Sequence, residues 1–383
     1  MAVPRKLYWF SFLLPLTLLF VAFRSFSVNS SVGDLSPPPP LLDANFLHRR
    51  LLQASDQLNL LYDFYRLSCP NAESVVFQFM QNTVAVDNRA TAQLLRLMFH
   101  DCFIQGCDAS LLLDDSNGNQ SHFIERNAFP NQSLKGLEII DRIKQALEAE
   151  CPSVVSCSDI ISLATRDAII LSGGPFFPIL TGRRDSQASY YDEANQQIPR
   201  PDSNITEMLD LFSQKGFNEK EIVSLLGAHN IGKIGCEFIQ RRLSNFKGTG
   251  EPDPTIPADF LLELKRICNA DASPSPSPSR LRNLIESASG LPFHQSLAPF
   301  IFSGSGFDAH YYKGLIMGRG LLYADQQLMA DPRTAKLVEV FASDDGSTFR
   351  REFSKSMLKM SNLAFLTGSQ GEVRTRCSLP NNI

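Results

Sequence analysis

Apolar residues recur at helical spacing along most of the chain beyond residue 60. Residues 91–100 combine Ala, Leu and Met without Gly or Pro, which favours a helix. Residues 72–86 have the pattern of an amphipathic helix with the apolar residues Val75, Val76, Phe79 and Val84. Alternating segments typical of strands are scarce, so the pattern predicts a mainly α protein. Further helices are predicted at 134–149, 158–171, 205–215, 219–227 and 231–243, with later apolar segments at Tyr311–Leu322 and Thr348–Phe365.

The N-terminal part of the chain has a different character. Residues 1–27 contain a basic start followed by an apolar run, which predicts a secretory signal peptide, with an uncleaved membrane anchor as the alternative. Residues 28–58 are rich in Ser and Pro and are interpreted as a linker. The folded domain is expected at 59–383, and within it the Ser-Pro repeat at about 271–290 indicates a low-complexity insertion.

Composition narrows the class of protein. A net charge of −4 offers no basic surface for nucleic acid, and 43% hydrophobic residues fit a soluble globular protein of 383 residues. The eight cysteines include no CxxC pair, which argues against zinc ribbons and thioredoxin-type sites. An even number of cysteines after a signal-like segment indicates four disulfides formed in an oxidising compartment, although spacing alone leaves their connectivity open.

A cation, an imidazole and an aromatic ring lie close together near the end of the helix predicted at 91–100. Arg96 and His100 are four residues apart and therefore project from the same helical face, with Phe99 beside them. An Arg and a His on a helix are more often ordinary surface residues than a functional pair. The pair therefore indicates a functional site only in combination with the residues next to it in the chain.

Oxygen-bearing side chains come directly after this pair. Asp101, Asp108 and Ser110 lie close together in sequence, and Gly106 allows a tight turn between them. Hard oxygen ligands in a short turn, completed by backbone carbonyls, suit Ca²⁺. An Asp-rich turn alone is weak evidence, because such turns are commonly just solvated. The prediction of a site depends on the combination of this turn with the preceding Arg and His.

The run R-L-x-F-H-D-C-F-x-x-G-C-D-A-S at residues 96–110 resembles the secretory plant haem peroxidases (class III) and is highly specific to them. Residues 61–70, the motif L-x-G-x-H-x-x-G at 225–232 and residues 368–377 resemble the same family, so the resemblance covers about residues 60–380. It implies a haem peroxidase fold whose distal and proximal helical halves sandwich haem b. It also implies the disulfides Cys69–Cys151, Cys102–Cys107, Cys157–Cys377 and Cys236–Cys268.

The resemblance implies roles for residues on the distal side of the haem. His100 would take a proton from H₂O₂ and return it to the leaving oxygen, while Arg96 would stabilise the developing negative charge. Asn131 would accept a hydrogen bond from His100 and keep its imidazole neutral. Phe99 would cover the haem, and the carbonyl of Pro199 is the expected contact for reducing substrates at the haem edge.

On the proximal side, the resemblance implies that His229 binds the iron and that Asp325 accepts a hydrogen bond from it. A carboxylate behind the imidazole would raise the basicity of the ligand. Without the resemblance, a His on an apolar helix is more often a core residue. Asp325 could likewise act as a helix N-cap.

The resemblance also implies calcium sites of unequal quality. In the proximal set of Asn230, Ser303 and Asp308, Asn230 stands where the family has Thr, and Phe300 stands where an Asp is expected. The second calcium is therefore expected to be weak or absent. The distal site would use Asp101, the carbonyls of Ile104 and Gly106, Asp108 and Ser110, with Glu125 linking Asn131 to this calcium loop.

These features predict a secreted haem peroxidase that reduces H₂O₂ and oxidises small phenolic donors by one-electron steps. It would be a monomer in the extracellular space, the cell wall or the vacuole, without nucleic acid, and on a membrane only if residues 1–27 are retained. The alternative is a secreted peroxidase-fold protein with a structural or cell-wall-binding role and no useful turnover. An intracellular ascorbate-using peroxidase is disfavoured by the signal-like segment and the cysteines.

Glycosylation sequons occur at Asn29, Asn119, Asn131 and Asn204.

Overall fold

A computed structural model describes residues 60–114, 123–269, 291–292 and 306–381 of the chain. All of these belong to the unit Arg50–Ile383. The segments interpreted as signal peptide (1–27), linker (28–58) and insertion (271–290) lie outside the described residues. No helix in the described ranges is long and apolar enough to cross a membrane.

Regular structure in the described ranges is almost entirely helical, which confirms the mainly α prediction. The helix predicted at 72–86 has those bounds, and most others differ from prediction by one to three residues at an end. The α-helices are α1 Ala72–Val86, α2 Ala90–Phe103, α3 Leu137–Glu150, α4 Cys157–Leu171, α5 Tyr191–Gln197, α6 Ile205–Gln214, α7 Glu219–Leu226, α8 Gln240–Ser244, α9 Ala258–Asn269, α10 His310–Ile316, α11 Tyr323–Gln327, α12 Pro332–Ala342 and α13 Ser347–Ser361.

The prediction of a helix at 231–243 is wrong. Lys233–Ile234 forms a short strand, β1, that pairs antiparallel with β2, Leu291–Pro292, and only Gln240–Ser244 at the end of the segment is α-helical. Gly232 has φ of +94°, a left-handed conformation that a right-handed helix excludes. The apolar residues Ile234, Ile239 and Leu243 of this segment are buried in a small cluster that also contains Phe260 and Leu264 of α9.

Helix α4 forms the buried centre of the fold. Its residues from Cys157 to Ile169 are all buried, and the Asp185 carboxylate accepts hydrogen bonds from the N–H groups of Cys157 (3.1 Å) and Ser158 (2.9 Å) at its N-terminus. These two donors would otherwise be unsatisfied at the start of a buried helix. Helix α2, which carries Arg96 and His100, packs directly against α4 and is thereby fixed in position.

The four disulfides implied by the resemblance are confirmed. They use all eight cysteines, so no cysteine is free. Cys102–Cys107 spans five residues next to His100, whereas Cys157–Cys377 joins the start of α4 to the C-terminal segment across 220 residues. One disulfide therefore shapes a local loop, and the other links distant parts of the chain.

Contacts near Gly232 bring the segment after His229 against the start of α2. A Cβ atom at Gly232 would lie 2.8 Å from the Cβ of Ala92, one turn before Arg96. Only glycine fits at this distance and at this φ. The segments that carry the two histidines are thus neighbours in one fold.

Candidate active site

Arg96 is held by a turn that faces helix α2. Its guanidinium donates to the carbonyl of Pro130 (2.9 Å) and to the carbonyl and hydroxyl of Ser133 (3.3 and 3.1 Å). Burial lowers the pKa of Arg96 to about 10, which leaves it charged at neutral pH. The predicted same-face arrangement of Arg96 and His100 holds, although α2 continues to Phe103 and includes Asp101.

His100 is oriented by the same turn. Its Nδ1 lies 2.6 Å from Asn131 Oδ1, and Asn131 Nδ2 donates to the carbonyl of Glu125 (2.7 Å). Because the amide nitrogen is engaged as a donor, Oδ1 is the acceptor and Nδ1 carries the proton. Burial and the Arg96 charge lower the pKa of His100 to about 3. The imidazole is therefore neutral, with Nε2 as its basic nitrogen.

Phe99 is half-buried between α2 and α6. Its ring lies edge-on to His100 at 5.6 Å between centroids and stacks on Phe212 of α6 at 5.9 Å. It also packs against the small cluster that contains Ile104 and Ile198. Phe99 therefore bridges the distal helix and the segment that leads to Pro199.

Pro199 is half-buried and comes directly after Ile198. On its other side, the Arg200 guanidinium lies 5.9 Å from the centre of the Phe129 ring, two residues before Asn131. These contacts place the segment around Pro199 next to the turn that carries Asn131.

Three carboxylates are buried close together: Asp101 near the end of α2, Asp108 in the turn that follows it, and Glu125 in the 3₁₀ turn Glu125–Asn127. Asp101 Oδ2 accepts from Ala109 N (3.2 Å), Asp108 Oδ1 accepts from Ser110 N (3.0 Å) and Glu125 Oε1 accepts from Tyr190 N (3.1 Å). Asp101 Oδ1, Ser110 Oγ and Glu125 Oε2 are buried and find no hydrogen-bond partner among the residues that the structure describes. Buried oxygens without donors fit a cation as their missing partner.

Electrostatics supports the same interpretation of this turn. Burial, with the charges of Asp108 and Glu125, raises the pKa of Asp101, and burial raises the pKa of Asp108 to about 6. Burial and the Asp108 charge raise the pKa of Glu125 to about 8. No compact group of three His, Cys, Asp or Glu side chains suited to a metal occurs in the described ranges. A cation here would therefore take hydroxyl and backbone carbonyl oxygens as well, as predicted for Ile104 and Gly106.

Gly106 shapes this turn as predicted from the sequence. It has φ of +108°, and a Cβ atom there would lie 2.1 Å from the carbonyl oxygen of Ala364. Cys107 N donates to that same carbonyl (3.0 Å). The close approach of Ala364 thus requires glycine and joins the turn to the C-terminal part of the chain.

His229 lies in a 3₁₀ turn, Gly227–Asn230, that comes after α7, and not on the helix itself as predicted. Its Nδ1 is 2.6 Å from Asp325 Oδ1. The His229 side chain is one-third exposed, whereas that of Asp325 is buried. Asp325 is not an N-cap but the third residue of α11, where its Oδ2 accepts from Leu322 N (3.1 Å). The carboxylate therefore both supports the start of α11 and holds His229.

Two members of the predicted second calcium set are engaged in protein hydrogen bonds. The buried Asn230 donates through Nδ2 to the carbonyl of Asp308 (2.5 Å), and its Oδ1 accepts from Tyr311 N (3.2 Å). Asp308 Oδ1 accepts from His310 N (3.0 Å) and contacts His310 Nδ1. Ser303 and Phe300 lie outside the described residues.

Sequence reasoning missed Tyr311 and the residues that hold Arg96. The Tyr311 hydroxyl donates to Asp325 Oδ1 (3.0 Å), the oxygen that also faces His229. In the sequence, Tyr311 lies in an apolar segment and has the pattern of a core residue. Ser133 and Pro130 contribute through a hydroxyl or backbone atoms, which no residue pattern reveals.

Comparisons with known proteins agree with this geometry. The sequence model of the family described as Peroxidase matches residues 76–344. Peroxidase 9 of Arabidopsis thaliana is 40% identical over 373 residues, covering 96% of this chain and 99% of that protein. Peroxidase 28 of the same plant is 42% identical over 318 residues, covering 83% of this chain and 92% of that protein.

Proposed function

Because this chain belongs to the peroxidase family, and within it to the secretory plant haem peroxidases, it is a haem-dependent peroxidase, and we propose that it reduces H₂O₂ and oxidises phenolic donors by one-electron steps. The observation that carries the proposal is the hydrogen bond between His100 Nδ1 and Asn131 Oδ1, because it leaves Nε2 as the base.

The residues around His229 fit a haem. Asp325 engages Nδ1, so Nε2 is the nitrogen that would bind the iron, and the one-third exposure of this side chain gives a ligand access to it. The buried carboxylate would increase the basicity of the imidazole. When bound, the haem iron would supply the redox chemistry that divides peroxide reduction and donor oxidation into separate steps.

The distal residues would move the proton of H₂O₂. His100 Nε2 would accept a proton from one oxygen of H₂O₂ and then return it to the other oxygen, which leaves as water. Asn131 would keep His100 in the required tautomer throughout. Arg96, positively charged and fixed by Pro130 and Ser133, would stabilise the negative charge that develops on the leaving oxygen. Phe99 would limit the space above the haem.

Phenolic donors would bind near Pro199. Pro199 directly follows Ile198 in the chain. Ile198 and Ile104 belong to a small apolar cluster, and Phe99 packs against that cluster. The backbone carbonyl of Pro199 is a hydrogen-bond acceptor that suits a phenolic hydroxyl. An electron could then leave a small donor without the donor reaching the peroxide pocket.

We propose one structural calcium ion, bound by Asp101, Asp108, Ser110 and the carbonyls of Ile104 and Gly106, with Glu125 alongside. The unpartnered oxygens of Asp101 and Ser110 support this site. We propose that a second ion is weakly bound or absent near Asn230, Ser303 and Asp308. The Asn230 amide already links the backbone of Asp308 to Tyr311, which leaves it no role as a cation ligand.

The protein is proposed to be a secreted monomer of the extracellular space or cell wall, with the vacuole as the other destination. Four disulfides persist in oxidising compartments, which disfavours an intracellular ascorbate-using enzyme. It would contact a membrane only if residues 1–27 are retained. H₂O₂ and small phenols would be its partners.

The substitution His100→Ala tests the proposed base. Loss of proton transfer should lower the rate constant for reaction with H₂O₂ about 10³-fold while the haem remains bound, measured by stopped-flow absorption. Gln93→Ala, on the same helix, is the matched control and should react normally. An unchanged rate for His100→Ala would contradict the proposal, and wild-type protein inert to peroxide would favour the non-catalytic alternative.

A further inference from the structure

Asp325 accepts hydrogen bonds from three directions. His229 Nδ1 lies 2.6 Å from Oδ1, the Tyr311 hydroxyl donates to that same Oδ1 at 3.0 Å, and Leu322 N donates to Oδ2 at 3.1 Å. The carboxylate is 1% exposed, so water does not compete for these positions. Two side chains therefore share one buried oxygen, and one of them is the proposed iron ligand.

Tyr311 is held in place by Asn230, the residue next to His229 in the chain. Asn230 Oδ1 accepts from Tyr311 N (3.2 Å), and its Nδ2 donates to the carbonyl of Asp308 (2.5 Å), so both ends of the buried amide are engaged. Starting at His229, the connection runs through Asn230 to Tyr311, then through the hydroxyl to Asp325 and back to His229. This closed set of contacts fixes the hydroxyl relative to the imidazole.

A second donor on an acceptor oxygen weakens the first. The Tyr311 hydroxyl withdraws electron density from Oδ1, so Asp325 attracts the His229 Nδ1 proton less strongly than an unshared carboxylate would. Less proton withdrawal means less imidazolate character on the ligand, and therefore less stabilisation of oxidised iron. The tyrosine thus opposes the effect of the carboxylate.

We propose that Tyr311 is a positioning residue that sets the strength of the hydrogen bond between Asp325 and His229, and thereby the reduction potential of the haem iron. The inference rests on the proposed function, because it requires His229 to bind the iron. It adds a residue to the site that acts through Asp325 and does not itself touch haem, peroxide or donor.

The neighbouring Tyr312 provides a matched control. It is in the same helix, α10, and is as deeply buried, but its hydroxyl donates to the carbonyl of Val223 (3.1 Å) on the adjoining helix α7. Tyr312→Phe removes one buried hydroxyl and one hydrogen bond, as Tyr311→Phe does. Any general effect of losing such a group should therefore occur in both variants.

The test is the Fe(III)/Fe(II) midpoint potential of the haem-loaded protein, together with the iron–histidine stretching band of the reduced form. Tyr311→Phe should shift the potential to more negative values and the band to higher frequency, while Tyr312→Phe leaves both at the wild-type values. In the Asp325→Ala background, which has no side-chain oxygen to accept from either residue, Tyr311→Phe should cause no further shift. Should Tyr311→Phe fail to bind haem, Tyr311→3-fluorotyrosine provides the second test. Its stronger hydroxyl donor should shift the potential in the positive direction.

Several results would overturn the inference. Equal shifts in Tyr311→Phe and Tyr312→Phe, no shift in either, or a further shift in the Asp325→Ala background would each show that Tyr311 does not act through Asp325. A wild-type protein that binds haem without a histidine-ligand band would instead refute His229 as the ligand, and this inference with it. The spectrum of the wild-type protein alone therefore distinguishes a failure of the proposed function from a failure of the proposed role of Tyr311.

Discussion

Asn131 makes two hydrogen bonds, and together they determine the state of His100. Its amide nitrogen is committed to the carbonyl of Glu125 (2.7 Å), which leaves the amide oxygen to accept from His100 Nδ1 (2.6 Å). The Glu125 carboxylate accepts from Tyr190 N (3.1 Å), and its charge interacts with Asp108 of the proposed calcium loop. Asn131 and Glu125 therefore connect the proposed base with the proposed calcium loop through one short chain of residues.

The substitution Asn131→Val should separate orientation from basicity. Loss of one hydrogen bond frees the imidazole to rotate and to change tautomer, so the rate constant for peroxide reaction should fall about tenfold, the equivalent of about 1.4 kcal/mol. Stopped-flow absorption measures it, with Gln132→Ala, at the next residue of the same turn, as control. A rate equal to that of the wild type would show that His100 does not need Asn131.

At the scale of elements, the calcium loop after α2 should respond to pH and to chelation together. Burial raises the pKa of Asp108 to about 6 and that of Glu125 to about 8, both above their values in the unfolded chain. Without calcium, the folded state retains protons that the unfolded chain loses as pH rises, so its stability falls between about pH 4 and pH 8. The proposed calcium ion would favour the ionised form and reverse this loss.

We therefore expect EDTA to lower the unfolding temperature more at pH 8 than at pH 5. At a calcium concentration one hundred times Kd, binding adds about 2.7 kcal/mol to the free energy of unfolding. Asp108→Asn should abolish the response, while Asp192→Asn, exposed on the neighbouring helix α5, should preserve it. Metal analysis should find about one ion per protein. Two tightly bound ions, or a response independent of pH, would contradict this expectation.

Helix prediction succeeded where one face of a segment packs on the core. Residues 72–86 have three buried apolar or small side chains at helical spacing, Ala72, Val76 and Met80, and the helix ends where predicted. It failed at 231–243, where the positive φ of Gly232 and the pairing of β1 with β2 replace a helix by short turns. Apolar periodicity in a short segment does not reveal a distant pairing partner.

The helices α5, α9, α11 and α12 were not predicted, although the chain carries a clear start signal for α12. Asp331 caps α12 through its side chain, and Pro332 occupies the first turn, which is a recognisable start signal. For α9 the apolar residues Phe260 and Leu264 are buried against a separate small cluster rather than the main core. This second cluster could not be anticipated from the order of elements.

At the scale of the whole molecule, the resemblance predicted more than periodicity could. It implied all four disulfides, and the structure confirms each pairing. The His100–Asn131 and His229–Asp325 contacts also have the geometry that the implied roles require. Tyr311 was not predicted, because it lies far from His229 in sequence and its apolar surroundings resemble those of a core residue.

Processing of the N-terminus should be visible in fluorescence. The only tryptophan of the chain is Trp9, within the segment interpreted as a signal peptide. Protein recovered from the medium of secreting cells should therefore have tyrosine emission and no indole emission. The full-length chain produced without a secretion pathway retains Trp9 and is the control. Indole emission from the secreted protein would show that the segment is not removed.

The most direct test of peroxidase function is the absorption spectrum of the purified protein before and after one equivalent of H₂O₂. We expect a Soret band that changes on addition of peroxide and returns when a phenol is added. This single series reports haem binding, peroxide reduction and donor oxidation. A Soret band that does not respond to peroxide, or its absence from folded protein supplied with haem, would contradict the proposed function.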